Sequence, residues 1–169
     1  VCSSDLAASL ILQFSFPYLI GSDGFFHLRM AQDPLGEMPW MPRSIFAQDW
    51  IDHQLLFHLL MAPFAWANEG IAAAKVSAAV FAALAVTACF VFLRAECVPG
   101  AAVFALLPGA VSWVFLMRME MPRTQSLSLL FLVLGLMALR RGSLPLLFAL
   151  AWAFMASYQV ALVLLPVAL

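Results

Sequence analysis

Long apolar runs along this chain are separated by short polar breaks. Ala7–Ile20 is apolar apart from Ser9, Gln13 and Ser15, with Pro17 near its end and Gly21 closing it. Further runs follow at Gly70–Leu93, interrupted only by Lys75, at Ala101–Met117, at Thr124–Leu139 and at Ser143–Leu169, which carries no charged residue. A helix crossing a bilayer needs about 20 apolar residues. The pattern therefore predicts an all-α, polytopic membrane protein with spans at about 7–20, 70–93, 101–117, 124–139 and 143–169.

Between the first two runs the pattern changes. Seven of the chain's 17 charged residues fall between Gly21 and His53: Asp23, Arg29, Asp33, Glu37, Arg43, Asp49 and Asp52. Pro34, Pro39 and Pro42 break any long helix there, and Trp40 and Trp50 suit a membrane interface. A loop of this length is functional or disordered, and the interleaved aromatic and apolar residues argue for order. The segment 21–69 reads as an external loop with a short helix around 23–32 and a second helix over 53–67. The apolar part of that second helix, Leu59–Ala67, contains Pro63 and is short for a crossing.

Charge chooses between a tilted span that uses His58 and an interfacial helix. If 53–67 stays at the interface, Asp23 and Arg118–Arg123 share the external side. Arg94 and the Arg140-Arg141 pair then lie in short cytoplasmic loops, as the positive-inside rule requires. The interfacial version is adopted.

Composition strengthens this reading. Hydrophobic residues make up 65% of the chain and charged ones 10%, against about 25% charged in a soluble domain. The net charge of −1 carries no information about partners, and there is no basic block for nucleic acid. Cys2, Cys89 and Cys97 have no metal-ligand spacing. Residues 1–6, Val-Cys-Ser-Ser-Asp-Leu, match what a sequencing-adapter end would encode and are set aside as an artefact. The chain then reads as a fragment cut on both sides, its first span clipped.

The candidate chemistry lies in two polar clusters. In Ser22-Asp23-Gly24-Phe25-Phe26-His27-Leu28-Arg29, Asp23 and His27 stand four apart, and a helix starting at a Ser22 cap stacks them on one face. The competing reading is an N-cap followed by a plain surface helix. The second cluster is Arg118-Met119-Glu120-Met121-Pro122-Arg123, an acid between two arginines at a helix junction. The competing reading there is an interface turn with snorkelling arginines. Asp49, Asp52 and His53 form a looser group, read as an N-cap pair with Asp52 the cap of helix 53–67. His53 and His58 are five apart rather than four, which rejects a helical zinc pair. Trp152, Tyr158 and Gln159 read as belt or packing residues.

Asp23-x-x-x-His27-x-Arg29 just outside the first apolar run resembles the first external loop of the GT-C membrane glycosyltransferases. The oligosaccharyltransferase catalytic-subunit branch is nearer than the protein O-mannosyltransferases, whose loop usually carries Asp-Glu where this chain has Asp23-Gly24. Arg118-x-Glu120-x-Pro122-Arg123 followed by Ser126-Leu127-Ser128 resembles the second external loop of the same superfamily. There the oligosaccharyltransferase form has Asp-x-Asp or Asp-x-Glu in place of Arg118-x-Glu120.

The resemblance implies a GT-C-like N-terminal transmembrane module with a long external first loop. It implies an inverting transferase that takes a sugar or oligosaccharide from a polyprenyl-phosphate-type carrier to an acceptor of unknown identity. The catalytic residues would be Asp23 and Glu120, and His27, Arg29, Arg118 and Arg123 would bind substrate. The cofactor it allows is a divalent cation, Mg or Mn, held by Asp23 and Glu120. The expected location is a bacterial inner membrane, with the site on the periplasmic face and lipid around the spans. Two other classes compete. One is a polytopic transporter whose intramembrane charges line a path, for which Pro108-Gly109 is the one matching helix break. The other is a non-catalytic membrane subunit.

Overall fold

The computed structural model describes residues 2–35 and 52–158. Among them are eight helices and no strand: α1 Cys2–Phe14, α2 Gly24–Gln32, α3 Leu55–Ala67, α4 Ile71–Ala95, α5 Ala101–Val111, α6 Trp113–Glu120, α7 Thr124–Arg140 and α8 Leu144–Ser157. The all-α expectation holds. Glu37, Pro39, Trp40, Pro42, Arg43, Asp49, Trp50 and Gln159 lie outside the described residues.

The fold is arranged around α4. Its buried face is built from small residues, among them Ala74, Ser77, Ala78, Ala82 and Ala85, which lets neighbouring helix backbones approach closely. Six helices, α1, α2, α3, α5, α6 and α7, pack against it, with α1 and α7 against its length, and α8 rests on α7 and α3. Lys75, the polar residue inside the α4 run, is buried. It donates to the Phe16 carbonyl and lies 5.3 Å from the centre of the Phe14 ring, tying the end of α1 to the start of α4.

Two ion pairs mark the ends of the bundle. Glu96, just beyond α4, pairs with Arg140 at the end of α7. Asp23, before α2, pairs with Arg123, before α7. The Asp23 loop and the Arg118–Arg123 segment thus share one end, and Arg94, Arg140 and Arg141 occupy the other. Helix α3 stays in the first half of the bundle, because both Phe57 and Phe64 meet Phe81 of α4. A core of Leu19, Leu28, Ala31, Phe57, Met61, Ala73, Phe81 and Leu127 joins α2, α3, α4 and α7 there.

Several expectations are corrected. The first apolar run is helical only to Phe14, not to Ile20. Pro17 has no N–H and disfavours helical backbone in the residue before it, and Gly21 sits in the left-handed region at φ 90°. The run 101–117 is two helices bent by 96°. The break is at Ser112, four residues after Pro108, where the Ser112 hydroxyl caps α6 by accepting the Phe115 N–H at 3.2 Å. Pro63 lies within α3, which continues through it to Ala67.

The expectation of five spans is met only in part. By length and composition α4, with 25 residues, can cross a membrane, and the bent α5–α6 pair would be a second if counted as one span. At 1.5 Å per residue α4 is ~37 Å long, beyond the roughly 30 Å of a bilayer core. Helices α3, α7 and α8 are apolar but shorter, with 13, 17 and 14 described residues. The structure supports membrane association through α4.

Candidate functional site

The site begins with two glycines. A Cβ on Gly24 would lie 2.6 Å from Pro122 Cγ and 3.1 Å from Leu19 Cδ1, so only glycine lets the start of α2 rest on the 121–123 turn. Gly21 is in ordinary contact with the Met121 side chain, and its φ of 90° is what favours glycine there. This contact brings the two polar clusters together. Arg123 Nη2 donates to Asp23 Oδ2, and Ser22 Oγ donates to Asp23 Oδ1 at 3.1 Å.

Asp23 occupies the N-cap position of α2, but its side chain makes no capping hydrogen bond. Only its carbonyl joins the helix, accepting the His27 N–H at 3.0 Å. The expected cap at Ser22 is corrected: Asp23 holds the N-cap position, without a side-chain capping bond, and its carboxylate is engaged by Arg123. Arg123 has a buried Nε with no acceptor among the described residues, while its Nη2 holds Asp23. A guanidinium has five donors; one of them holds Asp23, and the Nε–H is buried without an acceptor among the described residues.

Behind Asp23 lies a buried chain of three side chains. Asp52 Oδ2 is 2.5 Å from His58 Nδ1, and His58 Nε2 is 2.9 Å from His27 Nδ1. His58 is fully buried and His27 is 6% exposed. Phe57 meets the His27 ring edge-on, with centroids 5.2 Å apart and planes at 84°. Asp52 also accepts the Gln54 N–H at 2.9 Å, which turns the chain into α3. Asp52 therefore supports the helix start as expected, but through a turn ahead of Gln54, the N-cap residue. His53 is exposed and outside this chain. Burial, followed by the charge of His58, pushes the His27 pKa from 6.5 down to about 4. Arg123 adds to the fall, and Asp23 and Asp52 oppose it.

Glu120 turns the other way. It is 3% exposed, and its carboxylate accepts from Ser9 Oγ at 2.7 Å and from Gln13 Nε2 at 3.0 Å, both on α1. It borders a cavity of about 360 Å³ between α1, α4, α5 and α6 whose walls include Leu12, Ala82, Val86, Leu116 and Met119. Glu120 and Asp23 thus flank the 121–123 turn but engage separate partners. Among the described residues no group of three or more His, Cys, Asp and Glu is placed to hold a metal ion. Asp23 and Glu120 point to different partners in this arrangement, and no step is derived through a cation between them. Arg29 donates to Gln32 at 3.1 Å and Arg118 is exposed; neither is drawn onto Asp23.

Sequence reasoning missed four site residues. Ser9 and Gln13, at i and i+4 of an apolar helix, form a polar stripe that required a buried partner. Asp52 and His58 are six apart, a separation that carries no helical signature, because Asp52 precedes the helix. No protein-family model, curated protein or solved structure matches the chain.

Proposed function

We propose that this chain is part of a membrane-embedded GT-C-type glycosyltransferase that moves a sugar or oligosaccharide from a polyprenyl-phosphate-type carrier to an acceptor at the external membrane face. The observation that carries this reading is the meeting of Asp23 with Arg123, residues from the two loops that the superfamily resemblance singles out. Apolar surface supports the membrane setting. Phe104, Val111, Trp113, Val114, Phe148 and Trp152 are all more than half exposed, which suits lipid better than water.

The chemistry follows from those two groups. The acceptor oxygen or nitrogen attacks the anomeric carbon as the bond from that carbon to the carrier phosphate breaks, the electron pair leaving with the phosphate. Asp23 accepts a hydrogen bond from the acceptor O–H or N–H and aims it. Arg123 faces the charge that grows on the leaving phosphate, for which the donors of its partly exposed guanidinium are suited. The apolar cavity beside Glu120 accommodates part of the carrier chain.

The test is release of polyprenyl phosphate from a polyprenyl-phosphate-linked sugar by the intact protein in lipid nanodiscs. Wild type should turn over, and Asp23→Asn should turn over more slowly while remaining folded. Equal turnover in Asp23→Asn would remove Asp23 from the chemistry.

A further inference from the structure

The acceptor's proton needs a destination. Asp23 is a poor one in this arrangement, because Ser22 and Arg123 already donate to its two oxygens. His27 stands one helical turn further on. One of its nitrogens is committed to His58, which leaves the other for the reaction.

The hydrogen-bond chain fixes which nitrogen carries the proton. The Asp52 carboxylate can only accept, so His58 Nδ1 must donate to it. That carboxylate already has two donors, the His58 ring and the Gln54 N–H. A second proton on His58 would add a buried charge to a fully buried ring packed against Phe57. A neutral His58 has a lone pair on Nε2. It therefore accepts from His27 Nδ1–H, and His27 Nε2 is left unprotonated. We propose that His27 Nε2 is the base that takes the acceptor's proton, with His58 and Asp52 as positioning residues that set its tautomer and share the charge.

The proposal rests on the transferase reading for the identity of the proton donor. As the bond from the acceptor atom to the anomeric carbon forms and the phosphate leaves, the acceptor's proton moves to His27 Nε2. The resulting imidazolium donates through Nδ1 to His58, and His58 donates to Asp52, whose negative charge stabilises the pair. An aspartate behind a histidine serves the same purpose in the serine-protease triad. The charged and titratable groups that act on His27 are His58 and Asp52 from α3 and its approach, Asp23 from the start of α2, and Arg123 from the turn before α7. Burial is the largest cause that holds the free His27 unprotonated, so its Nε2 lone pair is open at neutral pH.

The experiment reads the tautomers directly. The chain, labelled with nitrogen-15 at histidine and held in lipid nanodiscs, is examined by long-range nitrogen–proton correlation at neutral pH. Exposed His53 serves as the internal reference. Wild type should show His27 and His58 both protonated on Nδ1 alone. In Asp52→Asn the Gln54 N–H keeps the amide oxygen, so the amide NH₂ faces His58 and both rings should reverse to Nε2–H. Turnover in the intact transferase should then fall about 10²–10⁴-fold in kcat, with KM for the polyprenyl-phosphate sugar unchanged.

A wild-type His27 protonated on Nε2, or a doubly protonated His58, overturns the proposal. So does unchanged kcat in an Asp52→Asn protein whose tautomers have reversed. Wild-type protein that turns over no polyprenyl-phosphate sugar removes the transferase reading and with it the base role, whatever the tautomers show. Correct tautomers beside wild-type turnover that Asp23→Asn does not affect would keep His27 and discard Asp23.

Discussion

Asp23 and Arg123, 100 residues apart in sequence, form an ion pair where the start of α2 meets the start of α7. Their side chains are 49% and 31% exposed, and pairs of this kind contribute about 0–1 kcal/mol to stability. Arg123→Gln should therefore change thermal stability by less than about 1 kcal/mol. It should nonetheless weaken use of the phosphate-linked donor, seen as a raised KM and a lowered kcat. A large loss of stability with normal turnover would make the pair purely structural.

Gly24→Ala tests the packing that makes this pair possible. The added Cβ meets the pyrrolidine ring of buried Pro122, which cannot turn aside as a flexible side chain would. Overpacking of this kind costs about 1–3 kcal/mol. Turnover should fall as in Asp23→Asn, although Asp23 itself is untouched. Wild-type melting and turnover in Gly24→Ala would mean that α2 does not rest on the turn.

Glu120 should matter to the fold through α1. In Glu120→Gln the charge is lost and an NH₂ replaces one acceptor oxygen, so the charge-assisted hydrogen bonds from Ser9 and Gln13 are weakened. The expected loss is about 1–3 kcal/mol. Ser9→Ala, which removes one donor from a carboxylate that keeps the other, should cost less. The measurement is thermal unfolding in detergent, and the reverse order would show that Glu120 is held by something other than α1.

His27 predicts how stability depends on pH. Its folded pKa of about 4 lies below its ordinary 6.5, so between those values the unfolded chain binds the proton and the folded chain does not. Stability is full above about 6.5 and falls as pH drops towards 4. At 1.36 kcal/mol per unit, the loss is on the order of 3 kcal/mol at most. His27→Phe should flatten the melting temperature across that window. An unchanged slope would assign the effect to another group.

Sidedness follows from the two ends of the bundle. In a background lacking Cys2, Cys89 and Cys97, Asp33→Cys should label from outside and Arg141→Cys from the cytoplasm. Labelling of both positions from one side would contradict the separation of the Asp23–Arg123 and Glu96–Arg140 ends.

Much of this was legible in the chain. The apolar runs determined α4 and α7 almost to the residue, because a helix in an apolar setting is bounded by the charges and glycines that flank it. Gly70 and Arg94 do this for α4, and Arg123 and Arg140 for α7. The two polar clusters were visible for the same reason: charge between apolar runs is conspicuous. Only the tertiary structure decided their partners. A hydrogen bond between residues 31 or 107 positions apart leaves no periodic trace. Asp23 therefore read equally well as a cap, and Glu120 as its neighbour in a shared site, until packing set Gly24 on Pro122 and turned Glu120 towards Gln13. His58 looked like one polar residue on an apolar helix. It became part of a hydrogen-bonded chain because α2 and α3 pack face to face and bring two imidazoles and one carboxylate together.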